Sequence, residues 1–111
     1  MADDVIIGSG KHRYRFVRQW ARLPRGWSFG SANPADRPPR TALKGAVAAN
    51  GEVHIVSRSA HPICVFTPDG DFVTSWGEGL YSDFVHSISI APDGSVYVID
   101  SGLHAIFHHA A

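Results

Sequence analysis

Cysteine, net charge and long apolar runs are all scarce in this chain, and each scarcity removes a class of protein. Cys64 is the only cysteine, so no disulfide can form within the chain and nothing points to a disulfide-stapled secreted scaffold. It sits in the apolar run Ile63–Phe66, where a thiol serves as a small buried hydrophobe rather than as a nucleophile. Ten basic residues balance ten acidic ones. A nucleic-acid or anionic-membrane surface needs a basic excess, so neither partner is expected. The basic residues Lys11, Arg13, Arg15, Arg18, Arg22 and Arg25 crowd the first third, a distribution that reads as a solvated strand and loop. Near the start, the apolar stretch Val5–Ile7 has three residues, too few for a signal peptide or a membrane span. The expected location is cytoplasmic. Helical periodicity is missing as well, since no segment sustains it over three turns.

What the chain does contain is a repeat. The segment from Leu43 to Phe66 aligns without a gap on the segment from His86 to His109, an offset of 43 residues. Gly51 falls on Gly94, Val53 on Val96, His61 on His104 and Ile63 on Ile106. Periods in the low forties suit a four-stranded propeller blade as well as some helical repeats. GEVHIV and GSVYVID decide between them, because both alternate and are rich in β-branched and aromatic residues. Each follows a turn ending in glycine, Asn50-Gly51 or Asp93-Gly94, and Asp69-Gly70 makes a third. The expected fold class is therefore all-β.

The first unit, within residues 43–76, reads as four strands near Ala46–Ala49, Glu52–Ser57, Pro62–Thr67 and Asp71–Trp76. The second, within 85–109, supplies three: Ser87–Ala91, Ser95–Asp100 and His104–His109. The fourth strand has a counterpart at the other end. Residues 12–20 read as an outer strand, because Phe16-Val17-Arg18-Gln19-Trp20 matches Phe72-Val73-Thr74-Ser75-Trp76 at Phe, Val and Trp. It would complete the second sheet of the same chain or of another. The connection from Trp20 to Leu43 is 13 residues longer than its equivalent from Trp76 to His86, and its residues 31–42 form a Pro-rich loop. Its prolines forbid helix or central strand, which leaves an exposed loop over one mouth of a propeller or a disordered insertion.

The stretches HPICVFTPDGDFVTSWGEG and VHSISIAPDGSVYVIDSGLHAI resemble NHL repeats. They are closest to the six-bladed β-propeller of peptidyl-α-hydroxyglycine α-amidating lyase and its bacterial relatives. The opening GSGKHRYRFVRQWARLPRGWSFG resembles the start of the same domain. This resemblance implies about two four-stranded antiparallel blades. Either the chain is a truncated member, or several copies assemble a ring. Three copies joined head to tail would close six blades, and self-association is the expected partnership.

Residues that recur in both repeats read as architecture: His61 with His104, Trp20 with Trp76, and the Asx-Gly turns. Asp100, opposite Ser57, reads as an acceptor of turn hydrogen bonds. Residues that break the repeat carry more information. His86 stands opposite Leu43 and opens the innermost strand of the second unit. In the family, a histidine in a Pro-His-Gly context there ligates a catalytic zinc at the channel mouth. Here the context is Val85-His86-Ser87, and zinc is the cofactor the resemblance implies. Arg58 stands opposite Ser101. The family's arginine in a Phe-X-Arg-Gly context binds the substrate carboxylate, a task suited to a guanidinium fork, and here the context is Val56-Ser57-Arg58-Ser59. The family's remaining metal-binding histidines and its catalytic tyrosine have no counterpart. His108-His109 has no spacing partner for a metal site. Three readings follow: a lyase-type section inactive as an isolated monomer, a non-catalytic module for a small-molecule, peptide or protein ligand, and an unproductive fragment.

Overall fold

The computed structural model describes residues 5–30 and 42–111, and among these there is no helix and there are nine strands. β1 (Val5–Ser9) and β2 (His12–Phe16) form an antiparallel hairpin. β3 (Ala42–Val47), β4 (Val53–Ser57), β5 (Ile63–Phe66) and β6 (Phe72–Trp76) form a four-stranded antiparallel meander. β7 (Val85–Ile90), β8 (Val96–Asp100) and β9 (Ala105–His109) form a three-stranded one. The all-β expectation holds.

The two meanders repeat each other in detail. In each, the first strand carries a register shift, between Ala42 and Lys44 in one and between Val85 and Ser87 in the other. These pairs are 43 residues apart, so the bulge itself is part of the repeat. It lets β3 begin four residues and β7 two residues earlier than expected, because one extra residue is absorbed before pairing resumes. The turns repeat too. At Ala48, Thr67 and Ala91 the carbonyl accepts from the glycine N–H three residues on, and the amide donates to the carbonyl four residues on. This is a type I turn closed by a glycine bulge. Gly51, Gly70 and Gly94 adopt φ of 89°, 90° and 88°, a region other residues enter only under strain.

The meanders stack through unlike faces. In the first sheet, register places His54, Val56, Ile63, Val65 and Trp76 on one face, and Val53, Ile55, Cys64 and Phe66 on the other. The Val56 and Ile63 face meets Val85, Ile88 and Val98 of the second sheet in the buried core, flanked by Trp76, Tyr81, Val96 and Phe107. Val98 is the repeat partner of Ile55, not of Val56. One face of the first unit therefore covers the opposite face of the next, as in a stacked repeat array.

The outer strand expected over residues 12–20 is corrected in its extent and in its partner within the chain. The strand ends at Phe16 and pairs with Val5–Ser9, and no strand covers residues 17–20. The chain turns at Gln19 (φ 49°), and Trp20 leaves the hairpin to lie against Phe66, its indole N–H donating to the Pro68 carbonyl at 2.9 Å. Arg22 then pairs with Asp71 at 2.6 Å. Among the described residues the second sheet has three strands, and none pairs with the outer edge of β9. The Pro-rich loop expected at 31–42 lies, up to residue 41, outside the described residues. None of the described helices is long and apolar enough to cross a membrane, there being none at all.

Candidate functional site

Arg58 and His86, singled out separately in sequence, come to one seam between the sheets. Arg58 follows the last residue of β4, is half-buried, and its Nε donates to the Val85 carbonyl at 3.2 Å. Its guanidinium lies 5.4 Å from the centre of the Phe84 ring, within cation–π range. His86 is the next residue along, exposed, at the bulge of β7. His86 reaches solvent by alternating with buried Val85, and the bulge then returns Ile88 to the face of Val85. Among the described residues, the terminal nitrogens of Arg58 carry no hydrogen bond. One carbonyl and one ring hold the stem of the fork, and its two parallel donors are left for an anion.

The loop before this seam is fixed by Asp100. Its carboxylate is fully buried and accepts from the Ser82 amide at 2.6 Å, the Ser82 hydroxyl at 2.5 Å, Gly102 N–H at 3.0 Å and Leu103 N–H at 3.2 Å. Burial works against its charge, but the Ser82 hydroxyl and the surrounding amides outweigh it and hold the acid below its ordinary range. The turn-acceptor role expected of Asp100 is what the geometry provides.

A second cluster lies at the far side of the first sheet. His61 Nδ1 is 2.9 Å from Glu78 Oε2, which also accepts from the Ser75 hydroxyl at 2.5 Å. Partial burial would raise the Glu78 acid, yet the bonds from Ser75 and His61 prevail and lower it, so the carboxylate is ionised. The Trp27 indole stacks flat on the His61 ring, with centroids 3.4 Å apart and planes within 2°. Ser28 and Ser59 join them around an open depression of about 270 Å³. His61 is thus no twin of His104, which is exposed at φ 53°. No local signal joins His61 to Trp27 and Glu78. Only the fold of residues 20–30 over the sheet brings them together.

A third cluster seals the seam between the sheets. Trp76 Nε1–H donates to His54 Nδ1 at 3.3 Å, and the Tyr81 hydroxyl meets His109 Nε2 at 2.7 Å. Burial lowers the His54 pKa against the opposing pull of Glu52, and burial followed by the charge of Asp100 pushes the Tyr81 phenol up to about 12. His108 and His109 point to opposite faces. His108 stacks on Tyr97 and His109 packs against Trp76, so the two cannot clasp one ion. Cys64 is buried, its thiol raised to about 11 by burial and then by Glu78.

Neither a protein-family model nor a curated protein matches this chain.

Proposed function

We propose that this chain is a two-blade section of an NHL-type β-propeller, built like that of peptidyl-α-hydroxyglycine α-amidating lyase, which holds a carboxylate-bearing ligand without turning it over. The repetition of strand order, bulge position, turn geometry and face-to-face stacking supports the propeller reading. The observation that carries the ligand reading is Arg58, bonded to Val85 and resting on Phe84 beside exposed His86. A guanidinium anchored through Nε keeps a preorganised pair of donors, the arrangement that recognises a carboxylate.

Zinc does not fit the described residues. His86 is one ligand where a catalytic site needs at least three, and no group of three His, Cys, Asp or Glu side chains converges among them. No zinc-dependent step is assigned, and the isolated chain is expected to lack lyase turnover. A nuclear magnetic resonance titration with N-acetylglycine, and with N-acetylglycinamide as the uncharged control, tests the ligand reading. Saturable shifts at Ser59, Val85 and His86 are expected with the acid alone, and they should vanish in Arg58→Gln. Equal shifts with both probes, or shifts that survive Arg58→Gln, would overturn it.

A further inference from the structure

We propose that the outer face and free edge of the second sheet are a docking surface for a second copy of this chain, which inserts its N-terminal hairpin as the missing fourth strand. The inference rests on the repeat stacking and is independent of ligand binding at Arg58.

The face comes first. Tyr97, Ile99 and Ile106 occupy the register positions of His54, Val56 and Ile63, each 43 residues later. Val56 and Ile63 are 0% exposed because the second sheet covers them, whereas Ile99 is 43% and Ile106 70% exposed. The same apolar residues in the same register are covered in one sheet and bare in the next. A bare apolar sheet face of this kind marks an interaction surface.

The edge comes second. β9 is the counterpart of β5, whose far side is occupied by β6. Among the described residues no strand occupies the far side of β9, whose backbone donors and acceptors there are a template for one more strand. β1 and β2 supply strands of five residues, the length of β6 and β9. Their register places Val5, Ile7, Tyr14 and Phe16 on one face, and all four are exposed.

The tether selects a second copy over the chain's own hairpin. The hairpin is anchored by Trp20, which lies against Phe66. Phe66 pairs with Val53 and so belongs to the face of the first sheet turned away from Val56 and Ile63. The second sheet covers the Val56 side. Trp20, from which the hairpin is tethered, and the second sheet therefore stand on opposite sides of the first sheet. A second copy, stacked by the rule that already joins the two sheets, would turn toward Tyr97, Ile99 and Ile106 the side of its first sheet on which Trp20 and Phe29 lie against Phe66, and with it the hairpin that Trp20 tethers. Such an interface is head to tail, and it closes into a ring when the rotation per copy permits.

Sedimentation velocity over a concentration series tests this with three proteins: the unaltered chain, an acceptor-blocked variant (Ile99→Glu with Ile106→Glu) and a donor-blocked variant (Ile7→Glu with Phe16→Glu). All four side chains are exposed, so circular dichroism should be unchanged. The unaltered chain is expected to associate and each variant to sediment as a monomer. An equimolar mixture of the two variants should give a dimer and nothing larger, since one good hairpin then meets one good face. A monomeric unaltered chain, a variant that associates like it, or a mixture that stays monomeric would overturn the proposal. A monomer that still binds N-acetylglycine through Arg58 would leave the ligand reading standing.

Discussion

Removing the Asp100 carboxylate should be among the most damaging single changes in the chain. Four donors converge on this buried group, two from Ser82 and one each from Gly102 and Leu103. A hydrogen bond to a charged acceptor contributes about 1.5–3 kcal/mol, and stranded donors add a desolvation cost. The bonds share one acceptor and are not additive, so Asp100→Ala should cost about 3–4 kcal/mol. For a domain of this size that lowers Tm by roughly 13–17 °C. Asp100→Asn keeps an oxygen for the Ser82 hydroxyl, Gly102 and Leu103 but faces the Ser82 amide with a second donor, and should cost about 2 kcal/mol. In the counterpart of the first sheet, Ser57, the hydroxyl bonds among the described residues with the Ser59 hydroxyl and the His61 carbonyl, so Ser57→Ala should cost about 1 kcal/mol. The pH dependence carries the same signature. The folded-state pKa of Asp100 lies below its ordinary 3.8. The unfolded chain therefore binds the proton more readily, and the stabilisation is complete above that value and lost as pH falls through the folded pKa. Urea melts at neutral pH and at acid pH measure both effects. Asp100→Ala within about 0.5 kcal/mol of the unaltered chain, or no costlier than Ser57→Ala, would refute the reasoning.

Other changes probe the remaining packing. His54 is held neutral by burial with its Nδ1 accepting from Trp76, so its folded pKa lies below 6.5; stability should decline as pH falls below that value, and His54→Gln should flatten the decline in pH-dependent urea melts. Gly77 has φ 85° and a Cβ there would stand 2.6 Å from the Tyr81 ring, so Gly77→Ala should cost about 2 kcal/mol or more by thermal unfolding, against about 1 for Gly79→Ala, which meets open space. Cys64, with its buried thiol raised to about 11, should react with a disulfide reagent at pH 8 only as fast as the fold opens; a native-state rate near that of the denatured chain would contradict its placement.

Much of the sheet structure is legible because it is local. GEVHIV and GSVYVID alternate, the glycine turns require positive φ, and a 43-residue offset carries one pattern onto the other. The hairpin is a different matter. Phe16-Val17 and Trp20 match β6 in composition, but partner choice is a competition. Closing two residues between Ser9 and His12 costs far less chain entropy than reaching β9 some ninety residues away. Val5–Ser9, with two adjacent isoleucines and a glycine, has no period-2 pattern to announce it. The candidate site was half legible. Arg58 and His86 stand out by breaking the repeat, yet their meeting depends on the stacking of the sheets, which brings Arg58 to the Val85 carbonyl. The His61–Glu78–Trp27 cluster joins residues whose separation obeys no motif.

The central claim is that the two meanders stack as successive repeats, unlike face to unlike face, because the Arg58 seam and the docking face both follow from it. Nuclear Overhauser contacts between side chains measure that stacking directly. Cross-peaks are predicted from Val56 and Ile63 methyls to those of Ile88 and Val98, and from the Trp76 ring to His109, whose centroids are 5.2 Å apart. Cross-peaks from Ile55 to Ile88 in place of those from Val56, or none between the sheets in a folded chain, would contradict it.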